Sequence, residues 1–128
     1  MKNKIFSLLL VAAGVVASAA SLVGLDDVIR SLHSGNASAL GRYMDDHIEI
    51  TLPEKSDSYS KAQGLMVLKD FLNMNGVKGF EVKQKGETGG QLFCIGLLHT
   101  RSGTYRTTIF MTTKQHRQLL REIRFYPT

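Results

Sequence analysis

The sequence predicts one α+β domain in which three N-terminal helices pack on a curved antiparallel sheet. Between residues 25 and 72, apolar residues recur mostly at helical spacing. After residue 76, four segments of 9 or 10 residues have the pattern of strands, and short turns join them. Consecutive strands with short connections pair as an antiparallel meander, and helices cover one face of such a sheet. The predicted order is α-α-β-α-β-β-β-β.

The first two helices are predicted to form a hairpin. Gly35 suits the end of the first helix, and Asn36 suits the N-cap of the second. The apolar face of the first helix consists of Leu25, Val28, Ile29 and Leu32. The second helix is predicted to extend through Ala37, Leu40, Tyr43 and Met44.

A strand and the third helix follow. Residues 47–52 alternate apolar and polar positions, which predicts a half-buried strand. Residues 54–58 are polar and are predicted to form a loop. Ser60 and Gln63 have the spacing of a capping box, so the third helix is expected to begin there and to end at Asn75.

The four C-terminal strands are predicted at residues 77–85, 91–100, 104–113 and 118–126. The period of two places Phe80, Val82 and Gln84 on one face of the first, and Leu119, Ile123 and Phe125 on one face of the last. The second strand is apolar on both faces, with Leu92, Cys94 and Leu98 opposite Phe93, Ile95 and Leu97. Because both sets cannot face one core, we expect one of them to pair with a second copy as a homodimer.

Residues 1–19 have the pattern of a cleavable signal peptide. Lys2 and Lys4 precede an apolar run over residues 5–17, and Ala17-Ser18-Ala19 supplies small residues for cleavage after Ala19, or after Ala20 as the second choice. The alternative, an uncleaved membrane anchor, is disfavoured because a spanning helix needs about 20 apolar residues. The mature domain, residues 20–128, is expected in the periplasm or outside the cell with no membrane anchor.

Charge and motif content argue against several classes of partner and functional site. Residues 88–128 hold six basic residues and one acidic residue, which predicts a solvated sheet face or a surface for anionic lipid, polysaccharide or an acidic partner. Nucleic acid is not an expected partner of an exported chain whose basic residues are spread along strands. No metal-ligand pair, phosphate loop or nucleophile elbow occurs, so neither a metal nor a cofactor is expected. Asp45, Asp46 and His47 have metal-ligating side chains, but these are expected to diverge because the three residues are adjacent at a helix-to-strand junction. A metal site there is therefore not expected.

Three separated motifs carry a resemblance to a known family. They are Tyr59-Ser60-Lys61-x-Gln63, Ile95-Gly96-x-Leu98-x-Thr100 and Gly103-x-Tyr105-Arg106. In this order they resemble the exported bacterial family called domain of unknown function 4783. The element order is similar to the nuclear transport factor 2-like, or cystatin-like, cone fold. The resemblance implies a fold and a compartment, whereas the acid–base chemistry of some cone-fold enzymes is not transferred by fold alone.

Four residues are candidates for a binding site: Tyr43, Tyr59, His99 and Arg106. Tyr59 precedes the capping box. It is expected either to belong to a binding edge at the helix N-terminus, which favours anions, or to anchor in the core. His99 is either a base in the cone or a surface residue at a strand end. Arg106 either holds an anionic ligand or pairs with Glu49 or Glu122 across the sheet.

The leading hypothesis is an exported, non-enzymatic module that binds a small apolar ligand or a protein partner; no catalytic residue is assigned. The alternative is a small isomerase- or hydratase-type enzyme with His99 or Glu49 as base and Tyr43 or Tyr59 as hydrogen-bond donor. It requires these side chains to converge in one pocket. A third possibility is a structural protein whose cone is filled by its own side chains.

Overall fold

The computed structural model describes residues 23–128, so the predicted signal peptide and its cleavage site lie outside the described residues. The helices are α1 (Val23–Ser34), α2 (Ala37–Leu40), continued by a 3-10 turn (Gly41–Tyr43), and α3 (Lys61–Asn75). The strands are β1 (Met44–Thr51), β2 (Ser56–Ser60), β3 (Val77–Thr88), β4 (Gln91–Thr100), β5 (Gly103–Lys114) and β6 (Arg117–Pro127). None of these helices is long and apolar enough to cross a membrane.

The helix ends follow the local sequence signals. Asn36 accepts a hydrogen bond from the Ala39 amide at 3.3 Å, and the Ser60 hydroxyl accepts one from the Gln63 amide at 3.3 Å. Gly76 has a φ of 70° at the end of α3, where its N–H bonds the Leu72 carbonyl at 3.0 Å. A left-handed glycine at this position is a common helix terminator.

The prediction of a loop at residues 54–58 is correct for residues 54–55 and wrong from Ser56 onward, because Ser56–Ser60 forms β2, an edge strand antiparallel to β1. Four of its five side chains are exposed, which removes the apolar alternation by which a strand is recognised. Its pairing depends on the backbone and on a 2.9 Å hydrogen bond between Thr51 and Ser56. Met44, predicted in the second helix, begins β1.

The sheet has the strand order β2-β1-β6-β5-β4-β3. Neighbouring strands are antiparallel except β1 and β6, which are parallel. The expectation of a purely antiparallel sheet is therefore wrong at this one junction. The chain leaves β1 through β2 and α3, and the four-stranded meander then returns β6 beside β1 in the same direction.

Two of the irregularities in the strand register overturn the predicted faces of β3 and β6. Lys83 has no opposite residue in the β3–β4 pairing, and Arg121 has none in the β5–β6 pairing. Each extra residue shifts the alternation by one. Gln84 therefore does not share a face with Phe80, and Leu120 rather than Leu119 is buried in the core, contrary to the predicted faces.

The core lies between the three helices and the concave face of the sheet. α1 contributes Leu25, Val28 and Leu32, and α3 contributes Leu68, Phe71 and Leu72. From the sheet, the buried apolar side chains include Ile48, Ile50, Cys94, Leu98, Ile109, Met111, Leu120, Ile123 and Phe125. On β4, the helices thus cover the face that bears Cys94 and Leu98. The opposite set stays half-buried on the convex face.

Candidate functional site

Tyr43 lies in the 3-10 turn that leads into β1. Its hydroxyl donates a 2.6 Å hydrogen bond to the Asp27 carboxylate of α1. This hydrogen bond, and to a smaller extent burial, raise the pKa of Tyr43 above its ordinary value. The phenol therefore ties α1 to the start of the sheet.

Tyr59 lies on the edge strand β2, half-buried against the core. The Lys55 ammonium lies 5.8 Å from the centroid of its ring. The next residue, Ser60, caps α3. The geometry of the Tyr59-Ser60-Lys61-x-Gln63 motif is thus that of a core anchor followed by a helix cap.

His99 lies on the convex face of β4, with 42% of its side chain exposed. Its Nδ1 is 3.2 Å from the Thr104 hydroxyl, and its Nε2 is 3.3 Å from a Glu81 carboxylate oxygen. Hydrogen bonds from Lys83 and then from His99 lower the pKa of Glu81. His99 is therefore one member of a polar row on the surface.

Arg106 lies exposed on the convex face of β5, opposite Leu97 on β4 and Tyr126 on β6. Glu122, a predicted partner, instead forms an ion pair with Arg124. His99 and Arg106 are diagonal neighbours on this face, whereas Tyr43 and Tyr59 lie elsewhere. The four candidates do not converge in one concave pocket, and Glu49, the other predicted base, is exposed on β1. These side chains therefore do not form the arrangement that the acid–base enzyme hypothesis requires.

A cavity that none of the four candidates lines opens beside α3. Its volume is about 410 Å³, and it lies between the C-terminal half of α3, the β1–β2 connection and the start of β5. We call it the α3 pocket. It is lined by Leu52, Pro53, Glu54, Lys55, Val67, Asp70, Phe71, Met74, Asn75 and Tyr105.

Aromatic packing holds the inner wall of the α3 pocket. The rings of Phe71 and Tyr105 meet edge to face, with centroids 5.2 Å apart and an interplanar angle of 70°. The Phe71 ring also packs against Phe125, at 4.6 Å between centroids. Such pairs contribute beyond their buried area, so the wall is preorganised.

The polar groups of this wall are occupied by one another. Asn75 is 9% exposed; its amide nitrogen donates to the Phe71 carbonyl at 2.8 Å, and its amide oxygen accepts from the Tyr105 hydroxyl at 3.0 Å. The Asn75 carbonyl also accepts from the Arg101 amide at 3.1 Å. The wall therefore presents mainly apolar and aromatic surface to the cavity. The remaining polar groups are the exposed side chains of Glu54, Lys55 and Asp70 at its entrance.

Sequence reasoning missed this site because it interpreted Asn75 only as a helix terminator. A local signal was present, since Phe71 and Asn75 are four residues apart and therefore lie on one face of α3. Their partner Tyr105 is 30 residues further along the chain. Only the packing of β5 under α3 brings the three side chains together.

A second surface is the centre of the convex face. We call it the convex patch and define it by Phe93, Ile95, Leu97 and Phe110, which are half-buried. Phe93 lies opposite Phe110 in the β4–β5 pairing. The Arg124 guanidinium lies 5.4 Å from the centroid of the Phe110 ring. Apolar side chains are thus contiguous on this face, with charged groups at their border.

Comparisons with known proteins identify a family and similar solved structures. The family model described as Domain of unknown function (DUF4783) matches residues 25–126. The crystal structure of a DUF4783 family protein from Bacteroides ovatus ATCC 8483 has a TM-score of 0.77 and 27% identity, covering 80% of this chain and 93% of that chain. The crystal structure of a DUF4783 family protein from Bacteroides fragilis YCH46 has a TM-score of 0.76 and 28% identity, covering 80% of this chain and 96% of that chain.

The fold is also similar to that of more distant proteins. An NTF2-like protein of unknown function from Cytophaga hutchinsonii ATCC 33406 has a TM-score of 0.61 at 11% identity, covering 84% of this chain and 89% of that chain. At this identity the likeness concerns the fold alone. No curated protein matches the chain.

Proposed function

Since the chain belongs to the family described as Domain of unknown function (DUF4783), whose description assigns no activity, we propose a function from the geometry. The domain is a non-enzymatic binding module, and the α3 pocket holds a small apolar ligand. The observation that carries this proposal is the cavity of about 410 Å³ with an aromatic inner wall. Pockets for small molecules are typically about 300–1,000 Å³, mainly apolar and preformed.

Binding fits the chemistry of the α3 pocket better than catalysis does. The Asn75 amide and the Tyr105 hydroxyl bond each other, and the two carboxylates at the entrance, Glu54 and Asp70, are exposed to water. An acid–base site of the isomerase type instead uses a carboxyl group and a hydrogen-bond donor that are both aimed at the substrate. The pocket therefore supports recognition of shape and apolar surface.

A filling substitution tests this proposal. Val67→Trp places an indole in the pocket, whereas Met66→Trp adds the same ring at the neighbouring position, which is 66% exposed and does not line the pocket. Binding of the neutral apolar dye N-phenyl-1-naphthylamine is followed by its fluorescence. We expect Val67→Trp to weaken binding about tenfold or more, and Met66→Trp to leave it unchanged. Failure of the wild-type protein to bind the dye, or equal binding by both variants, would contradict the proposal.

We propose pairing with a second copy through the convex patch as a second role of the domain. Its support is the contiguous set of half-buried apolar side chains on a face that α1, α2 and α3 do not cover. A twofold pairing is self-complementary and would bury the same set on both copies.

We also propose that the domain acts in the periplasm or outside the cell. The support is the sequence of residues 1–19, with its basic start, apolar run and small residues before the cleavage point. The intact mass of the protein purified from its own host tests this. A mass that corresponds to residues 20–128 is expected, and a mass that includes residues 1–19 would contradict export with cleavage.

A further inference from the structure

The entrance of the α3 pocket has a charge opposite to that of the chain as a whole. The chain carries a formal net charge of +5. The charged side chains that line the pocket are Glu54 and Asp70, both acidic, and Lys55. Two carboxylates and one amine leave the entrance with an excess of negative charge.

The two carboxylates are not neutralised by the rest of the domain. Within residues 23–128, neither Glu54 nor Asp70 forms an ion pair or a side-chain hydrogen bond. Within these residues, five of the 11 carboxylates pair with a cationic side chain, namely Asp26, Asp27, Asp45, Glu81 and Glu122, and Glu54 and Asp70 are among the six that do not. Glu54 and Asp70 therefore keep their hydrogen-bonding capacity for a group that enters the pocket.

The one cationic side chain among the described residues that line the pocket, Lys55, has an aromatic partner. The Lys55 ammonium lies over the ring of Tyr59, 5.8 Å from its centroid, which is within cation–π range. Tyr59 does not line the α3 pocket. Lys55 thus has an aromatic partner that is not part of the pocket lining, and its one positive charge is outnumbered by the two carboxylates.

The inner wall suits the same kind of ligand. Phe71 and Tyr105 present aromatic rings, which accept apolar groups and also attract cations to their faces. An ammonium group at the entrance would form charge-assisted hydrogen bonds with carboxylates, and its apolar body would reach the rings.

We propose that the α3 pocket selects an amphipathic amine: an apolar body that lies against Phe71 and Tyr105 and a cationic head group that lies between Glu54 and Asp70. The inference rests on the proposed function of this pocket and adds the chemical class of its ligand.

Three probes with one apolar body test the inference: decylamine, decanol and decanoate, each below its micelle concentration. Each displaces N-phenyl-1-naphthylamine from the wild-type domain and from two double variants. Glu54→Gln/Asp70→Asn removes the entrance charges, and Asp57→Asn/Glu87→Gln removes two exposed carboxylates that do not line the pocket. For the wild type we expect decylamine to bind about tenfold more tightly than decanol, and decanoate more weakly than decanol.

The variants separate the charge effect from the pocket itself. Glu54→Gln/Asp70→Asn should reduce decylamine affinity to that of decanol and leave decanol unchanged, whereas Asp57→Asn/Glu87→Gln should keep the preference. Added salt should weaken both the preference for decylamine and the discrimination against decanoate, because it screens attraction and repulsion alike. Equal affinities of the three probes for the wild type would overturn the amine inference but leave the pocket function standing. Failure of all three probes and of the dye to bind would overturn both.

Discussion

At the scale of single residues, Asp45 shows how the fold controls a buried charge. Its side chain is 6% exposed at the start of β1. Burial opposes its ionisation, but the Lys114 ammonium at 3.0 Å and the Asp46 amide at 2.8 Å favour the carboxylate. The balance lowers the pKa of Asp45 below its ordinary value. A group whose pKa is lower in the folded state than in the unfolded state stabilises the fold above the unfolded pKa and loses that contribution as the pH falls.

We therefore predict that Asp45→Asn destabilises the domain at pH 7 by about 1 kcal/mol, a modest value because Lys114 is half exposed. The difference from the wild type should shrink as the pH falls below about 4, the ordinary range of an aspartate pKa. Urea unfolding at pH 7 and at pH 3 measures it.

Asp57→Asn is the matched control, because Asp57 also accepts from the amide of the next residue at 2.8 Å but is exposed on β2. It should change stability little at either pH. A loss of stability for Asp45→Asn that is the same at pH 3 as at pH 7 would show that the ionised carboxylate is not the source of the stabilisation.

Cys94 is a second residue whose ionisation depends on burial. It is fully buried on β4, and burial raises the pKa of its thiol to about 11. The thiol therefore stays protonated at neutral pH, where the thiolate is the reactive form. Cys94 is thus a buried core cysteine.

At the scale of elements, the close approach of α3 to β1 depends on Gly64. A Cβ at this position would collide with the Ile48 side chain and lie 3.2 Å from the Met44 side chain. Both are buried residues of β1 that support the core. Glycine normally weakens a helix interior by about 0.5–1 kcal/mol relative to alanine, so its presence here reflects the packing of the helix on the sheet.

We predict that Gly64→Ala lowers stability by about 1 kcal/mol or more, because overpacking costs about 1–3 kcal/mol and outweighs the gain in helix propensity. The midpoint of thermal unfolding measures the change. Gly41→Ala is the control: its φ is −56°, and the nearest contact of a new Cβ is the movable end of Leu65 at 3.2 Å. An increase in the midpoint for Gly64→Ala would contradict tight packing at this site.

At the scale of the whole molecule, the sheet separates the two surfaces for which we propose different roles. The concave face is filled by core side chains, and the α3 pocket opens beside it. The convex patch faces away from the helices, and its apolar side chains are only half-buried. The proposed ligand binding and the proposed pairing with a second copy thus involve separate parts of one domain.

For the assembly we predict a dimer at micromolar concentration in sedimentation, with Ile95→Lys shifting it to a monomer because a charge in an apolar pairing surface is costly. Val82→Lys is the control, since Val82 is 39% exposed on the edge strand β3 and lies outside the convex patch. A monomeric wild type, or dissociation by both variants, would count against pairing through the convex patch.

The sequence by itself determined the features that depend on near neighbours. The caps at Asn36 and Ser60 and the terminator Gly76 act over three or four residues, and their signals are visible in the chain. The alternation along residues 47–52 also identified a strand, now β1, since a period of two needs no knowledge of the partner. The helices, the meander and the family resemblance were accordingly predicted.

Only the tertiary structure decided which elements and side chains meet. The polar edge strand β2, the parallel junction of β1 with β6 and the faces of Gln84 and Leu119 depend on pairing and register between strands. The separation of the four predicted site residues, and the assembly of the α3 pocket from α3, β5 and the β1–β2 connection, depend on packing between distant segments. The physical reason is that local propensity acts within a few residues, whereas a site is formed by residues that long-range packing brings together.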